Sequence, residues 1–377
     1  MIHSILKVIG SRMRAPRKRL LQVFTVSLVS LVSMLLLASC SSTSSSSKAV
    51  SSSNSKVSSL VSKMHSLHIA VVMYDSTGPF FSTWARGIQA EAKALGIHLD
   101  FEGANANEAT QALYVRDYIG RVQGMVVGWG YNPTLNPVID SAISHGIKVA
   151  SYGIQPSNPA VYQVHQNDAK IAQLSIGQLN NWIHGSGDVI YVNVSGIYPL
   201  DVRNGVWNSY LKSHPNVHVV AHVGEINTTT VTTVASEVEA ALLAHPNVKA
   251  VFAPYDAFAQ GATIAIDHLH RESTVKVFGA DTSTTDIGIM TAPNSPWIAS
   301  GASYAYTDGA VTLRTVVMAA MGTKVSHHVF IPPVLITSSF LLSHHITHSS
   351  QLLSYFPTLK TNNLSCASYM QAVNACL

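Results

Sequence analysis

The chain has 377 residues, 47% of them apolar and 11% charged, enough to bury a large core and, once the front end is set aside, to form two domains. The formal net charge of +4 comes largely from an Arg/Lys cluster in the first twenty residues, so the body has no basic face and nucleic acid is excluded as a partner. Its 18 His against few carboxylates make the chain more cationic in acid, which suits an acidic exterior, although a composition bias without function explains it equally well.

Residues 1–39 read as a secretory signal: Arg12, Arg14, Arg17, Lys18 and Arg19 precede an apolar run from Leu20 to Leu37. Leu37-Ala38-Ser39-Cys40 matches the bacterial lipobox, in which small residues admit a peptidase and the Cys40 thiol takes a diacylglycerol. The alternative is an uncleaved anchor, because the run is near spanning length. Residues 40–66, mostly serine and other small residues, read as a tether without a core. The expected location is therefore extracytoplasmic, on the bacterial cell membrane through the lipid on Cys40.

From His68 the chain settles into strand and helix units. The apolar run 69–73 does not alternate, as in a parallel strand buried on both faces. Thr77 or Gly78 then caps a helix with Pro79 at its first position, a buried stripe at Trp84, Ile88, Ala92 and Leu95, and a stop at Gly96. Phe80 and Phe81 stand on its first turn, where both cannot face the sheet, so at least one should point into a cleft. A strand over 97–101, a helix over 108–120, a strand over 124–128, a helix over 137–145 and a strand over 148–151 follow. A second run of strands begins near Asp188 and continues at 217–223, 250–253 and 275–279, giving four or five parallel strands in each of two lobes. Asp75, Asp256 and Asp281 lie just beyond strands, where open α/β sheets bind ligands, although helix capping explains the last two as well. Cys366 and Cys376, the only Cys after Cys40, read as a small-loop disulfide rather than a catalytic or metal pair.

Five strings in order carry a resemblance: Gly78-Pro79-Phe80-Phe81, the helix end AEAKALG, Ala104-Asn105-Ala106-Asn107, HPNVKAVFAPYDAFAQGA at 245–262 and VFGADTS at 277–283. Together they resemble the type I periplasmic binding proteins, specifically the ribose-binding-like group of sugar transporters, over roughly 67–343. The resemblance implies an α/β fold of two doubly wound parallel-sheet lobes joined by a three-segment hinge, with crossings at 158–163, 303–308 and 330–334. The first lobe would hold 67–158 plus 306–330 and the second 159–305 plus 331–343, leaving 344–377 as an extension. Phe80 and Phe81 match the family's stacking pair, and Asp256 and Asp281 match positions that reach the ligand; Asp75 and Asn167 join them. Where the ribose type has an Asp-Arg pair, this chain has Tyr152 and Gln155. Asp201 falls where the sugar-binding Arg is expected, and Arg203 matches the more structural one. Trp129 and Tyr304 are candidate aromatic plates. Ribose itself is disfavoured, and so many Asp against few Arg suit a neutral or cationic ligand, such as a polyol or amino sugar, better than an acid.

Enzymatic readings are weak. Ser209-x-x-Lys212 lacks companion motifs, no phosphate loop or nucleophile elbow is present, and His344, His345 and His348 lack a nearby carboxylate or Cys. The expected protein is a monomer without cofactor or metal, not an enzyme, that delivers a sugar or similar solute to the permease subunits of an ABC importer. The alternative is a ligand sensor that presents its closed form to a receptor or kinase.

Overall fold

The computed structural model describes residues 46–376, so the signal and Cys40 lie outside the described residues. Helix α1 (Ser46–His65) replaces most of the expected tether. Serine costs a helix only about half a kcal/mol per residue, and tertiary packing outweighs that. Leu60 and Val61 pack on the core and Met64 is fully buried, a helical stripe that serine-rich composition conceals.

Two six-stranded sheets follow. The first has the order β11-β5-β4-β3-β1-β2 and contains β1 (His68–Met73), β2 (His98–Gly103), β3 (Gly124–Gly128), β4 (Lys148–Tyr152), β5 (Tyr162–Gln166) and β11 (His328–Ile331), all parallel. The second has the order β12-β10-β9-β8-β6-β7 and contains β6 (Gly187–Val192), β7 (Val217–Val223), β8 (Val248–Ala253), β9 (Lys276–Ala280), β10 (Trp297–Ala302) and β12 (Val334–Thr337), with only β12 antiparallel. Helices α2 (Pro79–Leu95), α3 (Glu108–Asp117), α4 (Asn132–Ser144) and α10 (Ala305–Ala320) belong to the first sheet. Helices α5 (Asp168–Ile183), α6 (Tyr198–Ser213), α7 (Thr230–Ala244), α8 (Asp256–His268), α9 (Thr284–Met290) and α11 (Ser338–Ser343) belong to the second. The structure thus has the expected pair of parallel-sheet lobes, each with one or two strands more than the count from sequence.

The first crossing is displaced from the expectation. Strand β5 pairs with β4 and β11, so the chain changes lobe at Asn167 rather than within 158–163. Pro156 and Pro159 mark only the turn between β4 and β5. The later passages lie between β10 and α10 and at Pro332-Pro333 between β11 and β12.

Helices α2 and α10 cross in close contact through paired glycines. A Cβ on Gly87 would stand 1.9 Å from Tyr306 O, and one on Gly309 would stand 2.2 Å from Trp84 O. That contact sets the Trp84–Ile88 stretch of α2 against the hinge-side end of α10.

The extension is a strap that joins both cores. Ile346, Leu352 and Leu359 pack in the second lobe, whereas Tyr369, Met370, Ala375 and Cys376 pack in the first. Between them Arg314 donates to Thr361 O (3.1 Å) and Leu364 O (3.2 Å) and pairs with Glu91 (3.4 Å), which accepts from Cys376 N (3.1 Å). Cys366 and Cys376 are bonded.

Candidate functional site

The carboxyl ends of the strands of both sheets converge on one cavity. The first lobe supplies Tyr74 after β1, Phe80 and Phe81 from α2, Trp129 after β3, and Gln166 at the end of β5. The second supplies Ile197, Pro199, Leu200 and Arg203 from the start of α6, with Ile226, Tyr255 and Asp281.

The aromatic wall follows from local backbone. Gly78, with φ of 84°, turns the chain so that Pro79 opens α2 toward the cavity rather than over the sheet. Both Phe therefore line it, one more than the sequence requires. Their rings meet edge-on at 5.9 Å, and Trp129 lies 5.8 Å from Phe80 and 4.7 Å from Phe81. Trp129 adopts φ of 53°, held by its N–H on Tyr152 O (2.8 Å). Its indole lies where a Cβ on Gly153 would come within 2.6 Å, so only glycine fits beneath it.

The polar end is built on Arg203. Its Nε and Nη2 donate to Asp168 Oδ1 at 3.0 and 2.8 Å, and its Nη1 donates to Pro254 O at 2.6 Å and to Asp281 Oδ2 at 3.4 Å. Asp281 Oδ1 has no partner although it is buried. Burial pushes the Asp281 carboxyl up to about 6, against the pull of Arg203. Asp256 lies behind this wall. Its Oδ1 accepts from Ala257 N (2.8 Å), its Oδ2 has no partner, and burial together with Asp286 and Asp281 holds it well above the usual carboxylate range.

A buried network lies under the cavity at the hinge. Tyr152 Oη donates to Asp308 Oδ2 (2.8 Å), and Ser303 Oγ bonds both that oxygen and Gln166 Oε1 (3.0 Å). Burial pushes the Asp308 carboxyl up to about 7. Tyr152 therefore supports Gln166 and Trp129 instead of lining the cavity.

The other nominated residues lie elsewhere. Asp75 accepts from Thr77 N (2.9 Å) and Thr77 Oγ1 (2.8 Å) and borders a neighbouring opening with Asn227 and Thr228–Thr232. Asp201 is exposed and accepts from Gly196 N (3.0 Å). Asn167 caps α5 by accepting from Lys170 N, and Gln155 is exposed, with its backbone N–H on Asn132 Oδ1. Tyr304 precedes α10 and stacks on Tyr306 at 5.9 Å. Sequence reasoning passed over Tyr74, Gln166, Tyr255 and Asp168, although Tyr74 and Tyr255 are each one residue from a nominated Asp.

A family model described as a periplasmic binding protein domain matches residues 69–324. Among solved structures, the 5-methylthioribose transporter solute binding protein of Thermotoga lettingae, in complex with 5-methylthioribose, is 31% identical, with a TM-score of 0.79 over 81% of this chain and 98% of that one. A sugar ABC transporter protein of Yersinia enterocolitica shares the fold at 24% identity, with a TM-score of 0.78 over 83% of this chain and 96% of that one. An Agrobacterium vitis solute binding protein with bound allitol shares it at 20% identity, with a TM-score of 0.69 over 75% of this chain and 99% of that one. No curated protein matches the chain. With two parallel-sheet lobes around an aromatic cleft and a family match over most of its length, the chain belongs to the periplasmic binding protein family, in the type I fold of sugar-transporter solute-binding proteins rather than among enzymes.

Proposed function

We propose that this protein captures a small neutral sugar bearing an apolar substituent and delivers it to an ABC importer, held at the membrane by a lipid on Cys40. The observation that carries the sugar class is the division of the cavity wall. Gln166, Arg203 and Asp281 are its amide and charged side chains, whereas Phe80, Phe81, Trp129, Ile197, Leu200 and Ile226 are apolar. Every buried sugar hydroxyl needs a partner, and one left unpaired costs about 1–3 kcal/mol. Three such side chains, with the phenol groups of Tyr74 and Tyr255, suit the few hydroxyls of a pentose, and the apolar side chains suit a non-polar group on the same ring. The 5-methylthioribose bound by the Thermotoga lettingae relative has this chemistry. The lipid anchor rests on Leu37-Ala38-Ser39-Cys40; among the described residues no helix is long and apolar enough to cross a membrane.

Titration calorimetry against 5-methylthioribose, ribose, glucose and allitol tests the reading. Burying a methylthio group, roughly two methylene equivalents, contributes about 1.6 kcal/mol, so 5-methylthioribose should bind about 15-fold more tightly than ribose. Equal or tighter binding of ribose or glucose overturns it.

A further inference from the structure

We propose that His68, His98 and Asp100 form a binding site for a divalent transition-metal cation, with Zn²⁺ as the reference ion, separate from the sugar cleft. Strands β1 and β2 run parallel in a register that sets His68 directly beside His98. Asp100, two residues beyond His98, falls on the same face of β2 because side chains alternate along a strand. One ligand atom from each residue lies within 4.8 Å of the other two. His68 Nε2 and Asp100 Oδ2 are 2.8 Å apart, and the His68 and His98 rings meet edge-on at 4.1 Å.

The position of His68 is fixed on both sides by its backbone. Its N–H donates to Gln123 Oε1 (2.9 Å), and its carbonyl accepts from Gln123 N (3.0 Å). His98 N is likewise held on Leu67 O at 3.1 Å. The pair of imidazoles is therefore presented by a sheet edge rather than by a loop. Because β2 is the outer strand, the site opens to solvent: His98 is exposed and the other two are half-buried.

The chemistry suits a borderline metal. Two imidazole nitrogens and one carboxylate are the donors of open three-ligand zinc sites, which leave a fourth position for water. The cation would take the place of the hydrogen that His68 and Asp100 share, with His68 offering its bare Nε2 and keeping its imidazole hydrogen on Nδ1. Local charge favours a cation: among the described residues no Lys or Arg is paired with Asp100, and Glu102 lies two residues further on the same face. Tyr118 and Arg121, from the segment after α3, also belong to this face; Tyr118 donates to Glu102 (3.1 Å) and Arg121 lies over the Tyr118 ring. The site is at the amino ends of the strands, about 20 Å from the cleft at their carboxyl ends, given six residues of about 3.3 Å each.

Zinc competition against a chromogenic chelator, with the full-length protein, tests the proposal. One Zn²⁺ per chain should bind at micromolar or tighter affinity, and Co²⁺ should give the intense visible bands of a tetrahedral complex. His98→Ala and Asp100→Asn should each weaken binding at least tenfold while leaving the 5-methylthioribose-induced shift in melting temperature unchanged. His344→Ala/His345→Ala should bind as tightly as wild type. The site is overturned by the lack of a stoichiometric complex, by full affinity in His98→Ala, or by loss of binding in the His344→Ala/His345→Ala variant.

Discussion

The Asp281→Asn variant separates the charge of the cleft from its shape. Asn tolerates the left-handed backbone as Asp does, so φ of 66° at this position adds no cost. Burial places the carboxyl at about 6 against an ordinary 3.8. A folded value above the unfolded one means that this group's contribution to stability is complete below 3.8 and is lost as pH rises through about 6. At 1.36 kcal/mol per pH unit, that gap makes the ionised group cost the free protein at most about 3 kcal/mol at neutral pH. The variant removes the cost, and Asp168 still neutralises Arg203 through two hydrogen bonds. Its ligand-free melting temperature at neutral pH should therefore stay level or rise. Ligand binding should respond the other way. A sugar hydroxyl donating to the unpartnered Oδ1 makes a charged hydrogen bond of about 1.5–3 kcal/mol, so the variant should bind 5-methylthioribose about 10- to 100-fold more weakly at neutral pH. Because that bond favours the ionised form, wild-type affinity should fall about tenfold between neutral pH and about pH 5, and the variant should lack this step. Asp308 and Asp256 titrate in both proteins, and because the Asp281 charge helps raise each of them the variant also lowers both, so the step assigned to Asp281 is read as the difference between the two proteins. Calorimetry and thermal melts at the two pH values are the assay. A pH step of equal size in the variant, or a melting temperature well below wild type, would show that Asp281 serves only to pair with Arg203, and would refute the assignment.

Three further outcomes are expected. Cys366→Ser/Cys376→Ser opens a loop of separation 10 and should cost about 2.7 kcal/mol on the loop-entropy relation, read as a lower melting temperature that reduction of wild type reproduces. Phe81→Leu keeps an apolar side chain but loses the edge contact with Trp129, so stability should fall by about 1 kcal/mol and 5-methylthioribose affinity should fall with it; unchanged affinity would remove Phe81 from the ligand's contacts. Cys40→Ala should release the protein from the membrane fraction or leave it unprocessed, and an unaltered mass and distribution would end the lipoprotein reading.

What the sequence made legible of the fold was set by local signals that agree with tertiary packing. In α2 the Pro79 start, the Gly96 stop and the stripe Trp84, Ile88, Ala92 and Leu95 all coincide with the observed ends and buried face. In α4 they conflict: Pro137 looks like a first-turn residue, but the helix begins at Asn132 and gives up one hydrogen bond at Pro137. Strand β5 was hidden for another reason. Gln163 and His165 look solvent-facing, yet both are buried, with Gln163 Nε2 on Pro156 O (3.2 Å) and Oε1 near His165 Nε2 (3.1 Å). Polar residues that pair with one another inside a sheet leave no apolar pattern, and the displaced first crossing follows from this.

The cleft was legible in its aromatic corner and at Asp281, and less so elsewhere, because a motif gives the position of a residue but not the direction of its side chain. Tyr255 and Asp256 show the difference. Tyr255 is extended, with φ of −158°, and reaches the cavity; Asp256 begins α8 and turns beneath it, toward Asp286 and Asp281. A carboxylate after a strand is a reasonable choice for a sugar contact, yet the residue beside it forms the wall. Ile197, Leu200 and Ile226 pose the harder case, since in sequence they cannot be told from core residues and they meet Phe80 and Trp129 only when the lobes face each other. The apolar part of the wall arises from packing between segments that lie from 68 (Trp129 to Ile197) to 146 (Phe80 to Ile226) residues apart. Ligand class in such a clamp is therefore a property of the assembled pair of lobes, and substitutions among these aliphatic residues should change the preferred sugar without disturbing Arg203 or Asp281.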